Sequence, residues 1–303
     1  MLDLISAPTN LGLRPPEAGC VPGTAKAPEA LREAGLHQRL ARVSRDVGVV
    51  LPGRYRDDYR PGRARLRNQE AIVDYTTRLA GRIAGSLGIG HTPLVLGGDC
   101  SVLVAAGLAL ARRGRFGLVH LDGHTDFRHP GNSDDCASLA GEDLAAVVGR
   151  HWDAISNLEE RRPYIEPEHA LHLGCRPDDA CLDEVMATIA LTMTSEEIRA
   201  RGALDAGTAA VDLLSCGPVD GYWIHLDVDI LDAAVMPAVD SPSGNGLSVS
   251  ELTTLLSVVC PGAIGADVTI FDPDLDFDGR HARTVATVIE TGLARLGDGS
   301  SHP

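Results

Sequence analysis

Short apolar runs recur along the chain, separated by longer stretches in which apolar residues follow helical spacing. The short runs MLDLISA (1–7), VGVVL (47–51), PLVLGG (93–98), FGLVHLD (116–122), HALHLG (169–174), YWIHLDVD (222–229) and AIGADVTIF (263–271) read as strands. Segments 66–88 and 101–113 read as helices. The runs hardly alternate with polar residues, as expected of strands buried on both faces. Strands alternating with helices predict an α/β fold with a mainly parallel sheet covered on both sides. In such sheets ligands bind at the carboxyl ends of the strands. The polar clusters GGDCS (97–101), DGHTD (122–126), GCRPDD (174–179), DVDILD (227–232) and DPDLDFDG (272–279) all follow apolar runs at that end.

Two of these clusters break the apolar phase of their own strand. In GLVHLDGHTDF (117–127), Asp122, His124 and Asp126 occupy every second position; in YWIHLDVDILD (222–232), Asp227 and Asp229 do the same. Burying an unpaired carboxylate costs several kcal/mol, so a compensating cation is expected nearby. Residues two apart in an extended chain share one side. Two such strand ends facing each other would supply four carboxylates and one imidazole, a set suited to a hard divalent ion such as Mn²⁺. His120 and His225, shortly before the aspartates, are expected to point to the opposite face as satisfied core histidines. His129 is expected to be a solvated loop histidine. His172 and Cys175 have metal-like spacing without a companion pair, and an apolar strand accounts for both. Residues 274–279, DLDFDG, match half of a calcium loop, but Val285 stands where the closing Glu is required, so a solvated loop is expected.

Composition narrows the class further. Lys and Arg total 27 against 42 Asp and Glu, a net charge of −15 that disfavours nucleic acid. No run reaches membrane-spanning length, and the N-terminus lacks a basic leader, so no membrane partner is expected. Seven cysteines without a C-x-x-C pair fit reduced thiols and a cytoplasmic location. The single lysine, Lys26, argues against Schiff-base chemistry. One domain is expected over residues 1–295, with a disordered tail at 296–303.

The motifs together resemble the arginase family of ureohydrolases. Asp122-x-His124-x-Asp126, Asp227-x-Asp229-x-x-Asp232, Gly97-Gly98-Asp99 and the opening NLGL…APEALREAGL carry the likeness, which spans nearly the whole chain. It implies a three-layer α/β/α fold with a central, mainly parallel sheet of about eight strands, assembly as a homo-oligomer (trimer or hexamer), and two Mn²⁺ ions. It further implies a metal-bridging hydroxide that hydrolyses a guanidino C–N bond to urea and an amine. Carried over by position, Asp122 and Asp227 bridge the ions, Asp126 completes metal A and acts as the catalytic proton carrier, and His124 and Asp229 complete metal B. Asp179 falls where arginases contact the substrate's α-amino group, with Asp240 and Ser241 in the substrate loop.

Three positions depart from the family pattern. Cys100 stands in place of a metal A histidine; as a softer ligand it favours Zn²⁺ or Fe²⁺. Ile270 stands where arginases pair a Glu with the guanidinium, and Ala140 where they use a proton-shuttling His. These departures keep open an amidinohydrolase for a modified arginine such as N-hydroxyarginine, and a non-catalytic family member. The intact carboxylates argue against the latter, since each would be buried uncompensated.

Overall fold

The computed structural model describes residues 1–299. Eight strands form one sheet: β1 (Leu2–Ala7), β2 (Ser44–Val49), β3 (Thr92–Gly97), β4 (Gly117–Leu121), β5 (Ala170–Leu173), β6 (Leu191–Met193), β7 (Tyr222–Asp227) and β8 (Ala263–Thr269). Their order is β2-β1-β3-β8-β7-β4-β5-β6, with every pairing parallel. The anticipated three-layer α/β/α architecture is therefore present. β6 escaped the apolar pattern because it is a three-residue edge strand, only its last residue fully buried. β2, at the other edge, starts earlier than its apolar run and is largely exposed.

The two phases of the strands feed two separate cores. Val119, Leu121, Ile224, Leu226 and Val268 pack with Ala210, Leu255 and Val285 from helices Ala203–Cys216, Val249–Val259 and Arg280–Gly292. On the other face Leu118, Trp223 and Val95 meet Ile72, Tyr75 and Leu103 from helices Gln69–Gly88 and Val102–Ala111. Each buried Val, Leu or Ile among them contributes about 1.5–3 kcal/mol by leaving water. This second face also carries the polar residues of β4 and β7.

The centre of the sheet positions the site. β4 and β7 are neighbours in register, with His120 beside His225 and Leu121 beside Leu226, so Asp122 and Asp227 emerge side by side. At the end of β3, a Cβ on Gly98 would lie 1.8 Å from the Thr9 carbonyl oxygen, so only glycine lets the loop after β1 approach there. Asp99 fastens that loop, accepting hydrogen bonds from the Gly12 N–H (3.2 Å) and the Ser101 N–H (2.9 Å).

The chain does not become a free tail at 296. Leu296 is buried, and the Gly299 N–H donates to the Pro261 carbonyl at 2.6 Å. The remainder of that expected tail, 300–303, lies outside the described residues. The run 274–279 is an exposed loop, as expected, and Asp276 accepts from the N–H groups of His281 (3.1 Å) and Ala282 (2.8 Å) at the start of the last helix. Among the described residues, no helix is long and apolar enough to cross a membrane.

Candidate metal centre

The Asp-x-His-x-Asp segment leaves β4 and turns sharply. Asp122 Oδ1 accepts the His124 N–H at 2.7 Å, and Asp227 Oδ1 accepts the Asp229 N–H at 2.7 Å, so both strand ends close into the same small turn. The two turns are tied together: Asp229 Oδ1 accepts the Gly123 N–H (3.0 Å), and Asp229 Oδ2 lies 2.9 Å from His124 Nδ1. Asp126 follows in the left-handed region at φ 47°, a conformation that Asp tolerates better than most residues. Cys100, at the end of β3, is fully buried; its thiol donates to Asp227 Oδ2 at 2.9 Å and lies 3.1 Å from Thr269 Oγ1.

The donor atoms of Asp122, His124 and Asp229 lie within 4.8 Å of one another, as do those of Cys100, Asp122 and Asp227. Burial pushes the Asp122 and Asp227 carboxyls well above their ordinary range, with added repulsion chiefly from Asp126 on the first and Asp229 on the second. Burial and the neighbouring Asp143 do the same to Asp126. Asp229 is the exception: burial raises it, but His124 and Arg176 outweigh that and hold it low. For His124 burial opposes the charge, yet Asp229 lifts it to about 9. Asp122 Oδ2 is buried with no hydrogen-bond partner. Acids this crowded need cations, and these residues fit divalent metal ions.

A cavity of about 640 Å³ opens onto the cluster. His124, Asp126, Asp179, Asp227, Asp229, Asp240, Ser241, Ala140 and Ile270 all line it, whereas Cys100 and Asp122 lie in the buried floor behind. Asp240 and Ser241 sit exposed at the lip, the Ser241 hydroxyl donating to Asp240 Oδ2 at 3.2 Å. Ile270 is buried at φ 72°, a region a β-branched residue rarely adopts, and its N–H donates to the Gly98 carbonyl at 2.7 Å. Asp179 is already engaged. Its carboxylate accepts the Thr125 N–H (3.0 Å), the Thr125 hydroxyl (2.6 Å) and the Cys181 N–H (2.9 Å), which anchors the turn carrying His124 and Asp126.

Some expectations need correction. His129 is not a solvated loop residue: it is buried and lies 2.9 Å from Glu184 Oε1, away from the cavity. Nor do His120 and His225 point away from the aspartates. In His-Leu-Asp the histidine precedes the aspartate by two positions, so strand periodicity puts both on one face. His120 Nε2 lies 3.8 Å from Asp122 Oδ2. Across β5, β4, β7 and β8 the register aligns His172, His120, His225 and Asp267 in one buried polar row beneath the aspartates. Asp232 is a turn residue accepting the Ala234 N–H at 2.9 Å.

Sequence reasoning passed over four further residues. Arg14 and Arg128 line the cavity, and Asp143 lies fully buried beneath the cluster. Buried Arg176 donates to the carbonyls of Asp229 (3.0 Å), Leu231 (3.2 Å), Ser243 (2.9 Å) and Gly244 (3.1 Å), clamping the Asp229 turn to the lip. Of these, only Asp143 left a signal, as an acid at the start of the apolar run LAAVV.

Comparison with known proteins agrees with the geometry. The model of the arginase family matches residues 4–294. An arginase of Bacillus caldovelox is 27% identical over 274 residues, covering 88% of this chain and 91% of the relative. A formimidoylglutamase of Nocardia farcinica is 28% identical over 291 residues, covering 90% and 80%. The solved arginase structure from Bacillus caldovelox superposes with a TM-score of 0.86 at 25% identity, covering 96% of this chain and 97% of that one.

Proposed function

From the premise that this chain belongs to the arginase family, we propose that its cavity hydrolyses the C–N bond of a guanidino compound to urea and an amine with the help of two divalent ions. One observation supports this most directly: neighbouring strands in register deliver Asp122, His124 and Asp126 and the pair Asp227 and Asp229 to one end of one cavity. Asp122, His124, Asp227 and Asp229 would hold one ion, and Cys100, Asp122, Asp126 and Asp227 the other. The oxygen-rich set favours Mn²⁺, with the Cys100 position tolerating softer ions. Bound there, such ions supply Lewis acidity and an activated water at neutral pH.

The chain's own groups do the rest. Asp126 faces the cavity beside the other donors, a position from which its carboxylate can carry a proton to the departing amine. The remaining carboxylates attract a cationic guanidinium. Arg14 and Arg128 line the same cavity and fit a substrate that also bears a carboxylate. Asp179 acts on the substrate chiefly by holding the turn of His124 and Asp126, with Asp240 and Ser241 bordering the entrance.

Ile270 favours a second reading. With no carboxylate there to pair a plain guanidinium, a modified arginine such as N-hydroxyarginine is the alternative substrate. Urea and hydroxyurea release from arginine, agmatine, guanidinobutyrate and N-hydroxyarginine, using Mn²⁺-loaded protein, tests both readings. Absence of turnover on all four by folded, metal-loaded protein would overturn the proposal. Agmatine turned over as well as the carboxylate-bearing substrates would remove the role given to the arginines. Assembly as a trimer or hexamer is read by light scattering.

A further inference from the structure

Beneath the aspartates lie three residues, His120, His225 and Asp143, that neither donor set above uses, beside Asp122, which both sets share. His120 Nε2, His225 Nε2, both oxygens of Asp143 and Asp122 Oδ2 are all buried without a hydrogen-bond partner. They face one another. His120 Nε2 lies 3.5 Å from Asp143 Oδ1 and 3.8 Å from Asp122 Oδ2, and His225 Nε2 lies 3.6 Å from Asp143 Oδ2. His120, His225 and Asp143 are each fully buried, out of contact with bulk solvent. Leaving five such atoms unpaired in a protein interior is costly, and native structures rarely do so.

The separations decide what joins them. Good hydrogen bonds between nitrogen and oxygen span about 2.7–3.2 Å, so a proton shared directly by these pairs is poorly placed. Two donors each about 2.1 Å from one ion, subtending a tetrahedral angle, lie about 3.4 Å apart. The observed separations lie near that value, and two overlapping groups, His120 with Asp122 and His225, and Cys100 with Asp143 and His225, each bring their donors within 4.8 Å of one another.

The outer hydrogen bonds point the same way. Asp267 Oδ1 lies 2.5 Å from His225 Nδ1, while Asp267 Oδ2 accepts the Trp223 indole N–H at 2.5 Å. A neutral His225 carrying its proton on Nδ1, toward Asp267, would turn a lone pair at Nε2 toward Asp143. A carboxylate behind an imidazole in this way is the usual support of a metal-bound histidine. His120 Nδ1 lies 2.8 Å from His172 Nδ1; donation from His120 to His172 frees the His120 Nε2 lone pair likewise.

We propose that His120 Nε2, His225 Nε2 and Asp143 bind a divalent cation in the floor of the site, with Asp122 Oδ2 completing its shell and Cys100 Sγ beside it. Two imidazoles with carboxylate make this a site for Zn²⁺ in preference to Mn²⁺. Asp122 then offers Oδ2 to the floor ion and keeps Oδ1 for the two ions on the cavity side. The floor ion is enclosed, so it is taken up during folding and exchanges slowly. Its presence is independent of what the cavity hydrolyses.

The test is metal retention. Full-length protein produced with Zn²⁺ and Mn²⁺ is dialysed exhaustively against EDTA, and bound metal is counted by mass spectrometry in wild type, His124→Ala, His120→Gln and Asp143→Asn, with circular dichroism confirming the fold. The expected result is about one chelator-resistant Zn²⁺ per chain in wild type and His124→Ala, falling at least tenfold in His120→Gln and Asp143→Asn. Zinc absent from wild type, lost from His124→Ala, or kept equally by folded His120→Gln and Asp143→Asn would overturn the proposal. Should either floor variant fail to fold, X-ray absorption on the zinc retained by wild type decides. Two imidazoles per ion support the floor site, and one or none overturns it.

Discussion

Replacing Asp179 with alanine separates two roles that the same carboxylate could play. Its oxygens accept three hydrogen bonds: two, at 3.0 and 2.6 Å from Thr125, brace the turn between His124 and Asp126, and one, at 2.9 Å from Cys181, steadies Asp179's own loop. A hydrogen bond to a charged group is worth about 1.5–3 kcal/mol. Asp179 is only half-buried, so water replaces part of what is lost, and the three bonds do not add. One to two bonds' worth, about 2–4 kcal/mol, is therefore the expected cost of holding the turn, or roughly 30- to 700-fold in metal affinity if all of it falls on the bound geometry. Calorimetric titration of Asp179→Ala with Mn²⁺, beside Thr125→Val, which removes only the hydroxyl bond, measures it. Asp179→Ala should bind metal at least tenfold more weakly than wild type, with Thr125→Val in between. Metal affinity unchanged in Asp179→Ala, with KM alone raised, would refute the bracing role and return Asp179 to a purely substrate-contacting one.

Three further outcomes are expected. Cys100→His should raise Mn²⁺ affinity, since imidazole suits that ion better than thiolate, while overpacking a fully buried position lowers the Tm; unchanged metal stoichiometry and affinity would mean that Cys100 only packs. Ile270→Glu should improve arginine turnover roughly tenfold or more by restoring a charge-assisted hydrogen bond to the guanidinium, read as urea release, and a fall in activity would show that the added charge overloads the acidic site. Asp3 is buried, which raises its pKa, but hydrogen bonds from Arg45, Ser86 and His91 outweigh this and hold it well below the usual carboxylate range. A depressed folded-state pKa stabilises fully above the unfolded value of about 3.9, and that contribution is lost progressively as pH falls from there through the lower folded-state value, so the Tm deficit of Asp3→Asn should be largest at neutral pH and begin to shrink below about pH 4 in thermal melts.

What the chain disclosed and what it withheld follow from the reach of local patterns. β1, β3, β4, β5, β7 and β8 were legible because buried parallel strands read as apolar runs, and the aspartate pairs because they break that phase. The edges were harder: β6 is short and half-exposed, so it carries almost no apolar signal. His120 and His225 were visible but assigned to the wrong face, although the two-residue step to each aspartate already placed them. Asp143 and Arg14 could not be read as site residues, because their partners come from other strands and loops and meet them only in the folded chain.

The guanidinium of Arg176 has a mechanical consequence. By bonding to carbonyls on both the Asp229 turn and the 243–244 lip, it makes one rigid lever of two loops that are only covalent neighbours at a distance. A molecule that settles against the lip presses on the same body that orients Asp229, and an ion that draws in Asp229 resets the lip in turn. A ligand at the entrance and an ion at the acidic end would then act on one shared clamp, and linkage would require any resulting influence to be equal in both directions.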